Sequence, residues 1–222
     1  DRAYARVTGT SFSCPSASGS AILLVQFYDR LFPGEAMRAS TLKGLLLHTA
    51  DDLMDPGPDY QTGWGLINVE AAAQVMRLHA DAAEGQFLIE SSLDRTPIMH
   101  EYHVVLDDPQ GVTFTLCWTD PDARPSTLHD SSRSFLTHDL DLRVFKDDTV
   151  FLPFTLDPLQ PRKDAVPGDN VVDNVEQIVL NTSEPGSYTI EVSRKYSLIT
   201  PVQWYSLISD VPLIRTTRHA PR

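Results

Sequence analysis

The chain has 222 residues, room for one large domain or two modest ones, and its 41% apolar and 22% charged residues are the proportions of a globular protein. A formal net charge of −12 argues against a nucleic-acid partner, whose phosphates need clustered Lys and Arg. The longest apolar run, Ala21 to Val25, falls far short of the ~20 residues of a membrane-spanning helix.

No charged and then apolar leader opens the chain, whose first residues read as the middle of a protein. The texture changes near Glu84-Gly85: apolar residues recur at helical spacing before it and mostly alternate after it. Ser18 to Phe32, rich in Ala, Leu and Ile and stopped by Pro33-Gly34, predicts a first helix. Ser40 to Ala50 predicts a second, with Leu42, Leu45, Leu46 and Thr49 on one stripe and Ser40 as its N-cap. The turn cluster Asp55 to Asp59 precedes a third helix, capped by Asn68 and running through Ala71, Ala72, Val75 and Met76.

From Gln86 the signals are those of strands. Phe87 and Ile89 alternate with polar partners. Tyr102 to Leu106 and Val112 to Trp118 are strands joined by the turn Asp107 to Gly111. Leu140, Leu142 and Val144 alternate with Asp141 and Arg143. Val175 to Leu180 and Tyr188 to Val192 flank the turn Ser183 to Gly186, and Val202, Trp204 and Tyr205 open a last strand. Seven or more strands with Pro/Gly turns predict an antiparallel sandwich, jelly-roll or related. The fold class is therefore mixed, helices followed by a β-sandwich, divided into residues 1–84, 85–214 and a basic tail at 215–222. The long polar connections Asp120 to Thr137 and Asp157 to Asp173 are candidate functional loops. Cys14 and Cys117 are too few for a disulfide framework and are expected as buried free thiols.

The stretch Gly9-Thr10-Ser11-Phe12-Ser13-Cys14-Pro15, then Ser16-Ala17-Ser18-Gly19, sets a turn of small residues directly before a long apolar helix. Ser11 is expected at or just before the first helical turn, where backbone N–H groups lack partners and the helix dipole favours a developing oxyanion. Pro15 is tolerated in a first turn, where its missing N–H costs nothing, and Gly9 lets the backbone bend. A serine in this place is also an ordinary N-cap, so spacing alone leaves both roles open.

The segment resembles the serine-bearing motif of the subtilase family, G-T-S-M-[AS]-x-P followed by a small-residue helix containing Gly. Gly9, Thr10, Ser11, Ser13 and Pro15 match, with Phe12 in place of the usual Met and Ser16 in place of a frequent His. Lys43 to Ala50 is similar to the family's next helix, and Asp59 to Asn68 to its G-x-G-x-[IV]-[ND] closing segment, here Gly63-Trp64-Gly65-Leu66-Ile67-Asn68. The resemblance implies the helical C-terminal part of a subtilisin-like α/β domain, acyl transfer to peptide bonds, and Ser11 as nucleophile. It also implies that the triad Asp and His and the oxyanion Asn come from an upstream N-terminal half of the protease domain, before Asp1, and that the chain alone is inactive. None of the chain's own histidines (His48, His79, His100, His103, His129, His138, His219) is expected to be the base.

The second half, through Leu116 to Pro121, His138 to Leu142, Asp173 to Glu176 and Gly186 to Val192, resembles the jelly-roll domain that follows the catalytic domain in some bacterial alkaline-type subtilases. Related domains bind calcium, which needs six to eight oxygen ligands. The candidates are Asp139 and Asp141, on one strand face, and Asp169, Asn170, Asp173 and Asn174 on a Gly-containing loop. The same residues are also ordinary turn formers. The resemblance implies a peptide or protein substrate, no organic cofactor, and an extracellular or periplasmic location. The competing expectation is a non-catalytic binding or structural β-sandwich whose protease segment is vestigial.

Overall fold

The computed structural model describes residues 6–96, 98–123 and 134–216. Among these residues three helices, α1 (Thr10–Leu31), α2 (Ala39–His48) and α3 (Val69–Asp81), precede ten strands, β1 (Gln86–Leu93) to β10 (Gln203–Arg215).

Helix α1 starts earlier than its apolar pattern suggests. Within the Ser-rich run the hydroxyls bond back to the helix, Ser16, Ser18 and Ser20 donating to the carbonyls of Phe12, Cys14 and Ser16 at 2.9, 3.0 and 2.9 Å. Helix α2 is capped by Arg38 rather than Ser40. Ser40 lies inside the first turn, buried, with its hydroxyl 2.7 Å from that of Ser206. The buried face of α2 is Ser40, Thr41, Gly44, Leu45 and His48, while Leu42 and Leu46 are only half-buried. The apolar stripe alone does not reveal this, because the surface that α2 covers is a sheet presenting hydroxyls and two carboxylates, Glu90 and Asp210. Helix α3 is as expected: the Asn68 side chain accepts from the Ala71 N–H at 2.9 Å. Between α2 and α3 the chain folds back through paired bonds between Asp51 and Leu66, 2.8 and 2.9 Å. Gly65 sits there at φ +105°, and a Cβ would overlap the Asp51 carbonyl oxygen, so only glycine fits.

The strands form a two-layer sandwich. One layer has the order β1-β10-β3 (Gln110–Trp118)-β8 (Val175–Ser183). The other is β2 (Met99–Leu106)-β9 (Gly186–Arg194)-β4 (Leu140–Lys146)-β5 (Thr149–Phe151). The end of β10 crosses to β2 through Ile214 and Arg215, nearly closing the structure into a barrel. β2 and β3 are joined by a short turn, as are β8 and β9, yet neither pair is hydrogen-bonded; each turn carries the chain from one layer to the other. Two short strands the pattern does not announce, β6 (Phe154–Thr155) and β7 (Val166–Pro167), pair with each other. The chain expected as a tail from 215 is held through Thr216, whose N–H donates to Glu101 at 3.1 Å.

Two apolar cores result. The larger fills the sandwich, with Tyr102, Phe114, Trp118, Tyr188 and Tyr205 wholly buried. The second joins the helices to the sheet: Leu24, Tyr28, Leu45, Ala72, Val75 and Met76 pack with Phe87 and Leu88 of β1 and Ile208 of β10. The helical layer therefore does not float on a linker; it shares a core with one face of the sandwich.

Candidate functional site

Ser11 is the second residue of α1, exposed, and its hydroxyl has no hydrogen-bond partner among the described residues. Gly9 caps the helix in extended conformation with no side-chain cap, and its carbonyl accepts from Phe12 N–H at 3.0 Å. The N–H groups of Thr10 and Ser11 belong to the unpartnered first turn, so their dipoles point outward beside the Ser11 hydroxyl. Thr10 and Ser13 are exposed on the same end of the helix. Pro15 departs from expectation. Because α1 begins at Thr10, Pro15 falls in its second turn, where the missing N–H leaves the Ser11 carbonyl without a donor four residues on. Cys14 is exposed, not buried as expected, whereas Cys117 is buried and its thiol is pushed up to about 11 by desolvation.

α1 is apolar all round at 21–25, the pattern of an internal helix. Its buried residues are Leu24 and Tyr28; Ile22, Leu23 and Val25 are 69%, 59% and 46% exposed, and Phe12 is 55% exposed.

The described histidines all lie against other protein groups. His100 lies in the sandwich core, Nδ1 2.7 Å from the Tyr205 hydroxyl, and desolvation lowers it to about 4. His138 accepts from Ile199 N–H at 3.0 Å through Nε2, so its proton is on Nδ1, facing the Gln203 carbonyl at 2.7 Å. His79 packs on Phe32, and burial lowers its pKa. His103 meets the Thr189 hydroxyl at 3.0 Å. His129 and His219 lie outside the described residues. His48 does have a carboxylate, Asp210, at 3.2 Å. The sequence hides this pair because its members are 162 residues apart.

Three of the six residues proposed as calcium ligands converge, and they converge on two cations. Lys195 Nζ lies 2.7 and 2.8 Å from the Asp169 carboxylate, 3.3 Å from Asp139 and 3.4 Å from Asp141. The Arg143 guanidinium bonds Asp141 and Asp169 at 2.7 and 2.6 Å. Asp139 and Asp141 share a face, as alternation requires. Asn170 instead folds its own loop, accepting from Val172 and Asp173 N–H at 3.1 Å each and donating to Asp173 at 3.0 Å. Asn174 stands apart, between Lys43 Nζ at 2.6 Å and the Trp118 carbonyl at 2.7 Å. Among the described residues no group of three or more His, Cys, Asp or Glu side chains is arranged to hold a metal ion. With Lys195 and Arg143 between them, the carboxylates as they stand do not fit Ca²⁺.

The sequence reading misses the deepest member of this cluster. Glu176 is wholly buried, Oε2 accepts from Leu142 N–H at 2.5 Å, and Oε1 has no hydrogen-bond partner among the described residues. Desolvation holds its carboxyl well above the usual range, against the pull of that bond and of Arg143. Burial likewise raises Asp139 and Asp141. Burial works against the Lys195 ammonium, but its bond to Asp169 and the charges of Asp141 and Asp139 outweigh this and raise its pKa. A signal was present: Glu176 alternates with Ile178 and Leu180 on the apolar face of β8.

Comparison with known proteins bears on the first part of the chain. Residues 1–65 match the model of the subtilase family. Serotype-specific antigen 1 of Mannheimia haemolytica is 41% identical over 64 residues, 29% of this chain and 6% of that protein. The Neisserial autotransporter lipoprotein NalP of Neisseria meningitidis serogroup B is 39% identical over 67 residues, 30% of this chain and 6% of its own. The chain thus spans about 6% of the length of these curated relatives. Among solved structures, the pre-peptidase C-terminal domain of a collagenase from Bacillus anthracis aligns over 57% of this chain and 90% of its own, at 9% identity and a TM-score of 0.33. No helix among the described residues is long and apolar enough to cross a membrane. Residues 1–65, which carry the motifs around Ser11, His48 and Gly65, are thus similar to the subtilase family, and the chain continues from them into a β-sandwich.

Proposed function

We propose that the chain is part of a subtilisin-like serine endopeptidase in which Ser11 is the nucleophile. The triad Asp and His and the oxyanion Asn come from a segment upstream of Asp1, and the chain without them is inactive. The observation that supports this most is α1 itself. Its serine stands free at an unpartnered helix end, while the helix is apolar all round at 21–25 yet covered there on one side only. An apolar helix is uncovered only when the body that buries it is elsewhere; burying a side chain such as Ile22 or Leu23 in full contributes about 1.5–3 kcal/mol.

In this reading the upstream His takes the proton from Ser11 Oγ as the oxygen attacks the scissile carbonyl of a peptide or protein substrate. The Ser11 N–H, with the upstream Asn, donates to the oxyanion, and the imidazolium then protonates the leaving amine. Water repeats the sequence on the acyl-enzyme. Gly9, Thr10, Ser13 and Pro15 shape the turn that presents the hydroxyl. Because one matched relative is named as an autotransporter lipoprotein, we place the protein outside the cytoplasm.

The test is hydrolysis of an unfolded protein substrate by the protein carrying its upstream segment. Ser11→Ala should lower kcat on the order of 10⁶-fold. Equal rates for variant and wild type would leave a non-catalytic β-sandwich with a vestigial segment; turnover by the 222-residue chain alone would refute the need for upstream partners.

A further inference from the structure

We propose that the β-sandwich is the seat that positions the nucleophile helix, with Thr115 and Asp210 as positioning residues acting through His48. The proposal rests on the assignment of Ser11 above. Its physical basis is the way α2 is fastened. The His48 side chain is fully buried and both ring nitrogens are engaged by strands of the sandwich. Nδ1 is 2.9 Å from the Thr115 hydroxyl on β3, and Nε2 is 3.2 Å from Asp210 Oδ1 on β10. The Asp210 carboxylate can only accept, so Nε2 carries the proton of the neutral ring and Nδ1 accepts from the Thr115 hydroxyl, whose oxygen accepts in turn from Gln177 Nε2 at 3.1 Å. The other oxygen of Asp210 accepts from Thr113 N–H at 2.6 Å. Every group in this row has a partner, and Thr115 is wholly buried. Carboxylate, imidazole and hydroxyl are the three groups of a hydrolytic triad, but no substrate reaches this hydroxyl: the row is a clamp.

The clamp is one of three fastenings along ten residues of helix. At the opposite end of α2, Arg38 N–H donates to Glu90 of β1 at 2.9 Å, and its guanidinium lies 3.5 Å over the Trp204 ring. The Ser40 and Thr41 hydroxyls meet Ser206 of β10 at 2.7 and 2.8 Å. In the middle, Gly44 lets the helix backbone descend onto Ile208 and Cys117. Among the described residues α1 makes no such bonds to the sheet. It is placed through Leu24 and Tyr28 in the core it shares with Leu45 of α2, Met76 of α3 and the strand residues Phe87, Leu88 and Ile208. Loosening α2 therefore loosens α1, and an attacking oxygen displaced by about 1 Å costs on the order of 10²-fold in rate.

Thr115→Val is the informative perturbation, since it removes the hydroxyl and keeps the shape; Thr115→Ser restores the hydroxyl. In the 222-residue chain, Thr115→Val should speed amide hydrogen exchange about tenfold in α2 and in 24–31 of α1, with β2, β4 and β9 unchanged and Thr115→Ser near wild type. Exchange altered only in β3 and β8, or nowhere, overturns the proposal whatever the activity. In the protein with its upstream segment, Thr115→Val should lower kcat with KM unchanged, and Thr115→Ser should recover it; a kcat equal to wild type also overturns it. Absence of hydrolysis in wild type itself counts against the Ser11 assignment, and the exchange result then decides the seating alone.

Discussion

Gly44 is the point where helix meets sheet most closely, and a thermodynamic cycle there measures the contact. A Cβ built on Gly44 overlaps Ile208 Cδ1 and lies 3.3 Å from Cys117 Cβ, with both partners wholly buried. Gly44→Ala forces Ile208 off its rotamer or lifts the helix, an overpacking cost of about 1–3 kcal/mol. Against this, alanine in a helix interior gains ~1 kcal/mol over glycine, leaving a net loss of about 0–2 kcal/mol. Ile208→Val removes the obstructing methyl and alone costs about 0.5–1.5 kcal/mol. Combined, the new Cβ occupies the vacated space, its next neighbour Ile208 Cγ1 being 3.7 Å away, and the helix gain is kept. The double variant should thus lie within about 1 kcal/mol of wild type, where independent effects would give a loss of about 0.5–3.5 kcal/mol. Urea unfolding of the four proteins, followed by the fluorescence of Trp64, Trp118 and Trp204, supplies the numbers if the m-values agree. A double variant no more stable than the sum of the singles refutes the close seating of α2 on β10.

Glu176→Gln should make the chain more stable relative to wild type as pH rises. A carboxyl with a raised native pKa binds its proton more tightly when folded, so its ionisation costs stability as pH climbs from the ordinary value near ~4.3 through the native one; melting profiles that stay parallel from pH 5 to 8 would contradict the buried charge. Asn68→Ala removes the cap of α3 and its 3.0 Å bond to Asp51, and should cost about 0.5–2 kcal/mol by denaturation. Calcium would have to displace Lys195 from Asp169. Calorimetric titration should therefore give no heat and no rise in melting temperature; either signal would show that Asp139, Asp141 and Asp169 open to a metal.

The order of helices and the sandwich are legible because their signals are local. Asn68 caps where its type predicts, and Leu140, Leu142 and Val144 alternate on β4 as they are buried. The Ser11 segment is legible for a different reason: turn, nucleophile and helix are contiguous in sequence. What escapes is whatever depends on residues far apart. The face of α2 is misjudged because Thr41, Gly44 and His48 become buried only against Glu90, Thr115, Ser206, Ile208 and Asp210. The acidic loop reads as a cation site until Arg143 and Lys195, from β4 and the residue after β9, enter it. Pro15 is misplaced because α1 begins at Thr10, ahead of the apolar spacing that starts at Ala21.

The central claim is chemical, that Ser11 Oγ is an activated nucleophile. A fluorophosphonate reagent added to the protein with its upstream segment, followed by peptide mass mapping, tests it directly. The adduct should sit on Ser11, disappear in Ser11→Ala and be absent from the 222-residue chain alone. Labelling at another serine, or none in the intact protein, would contradict it.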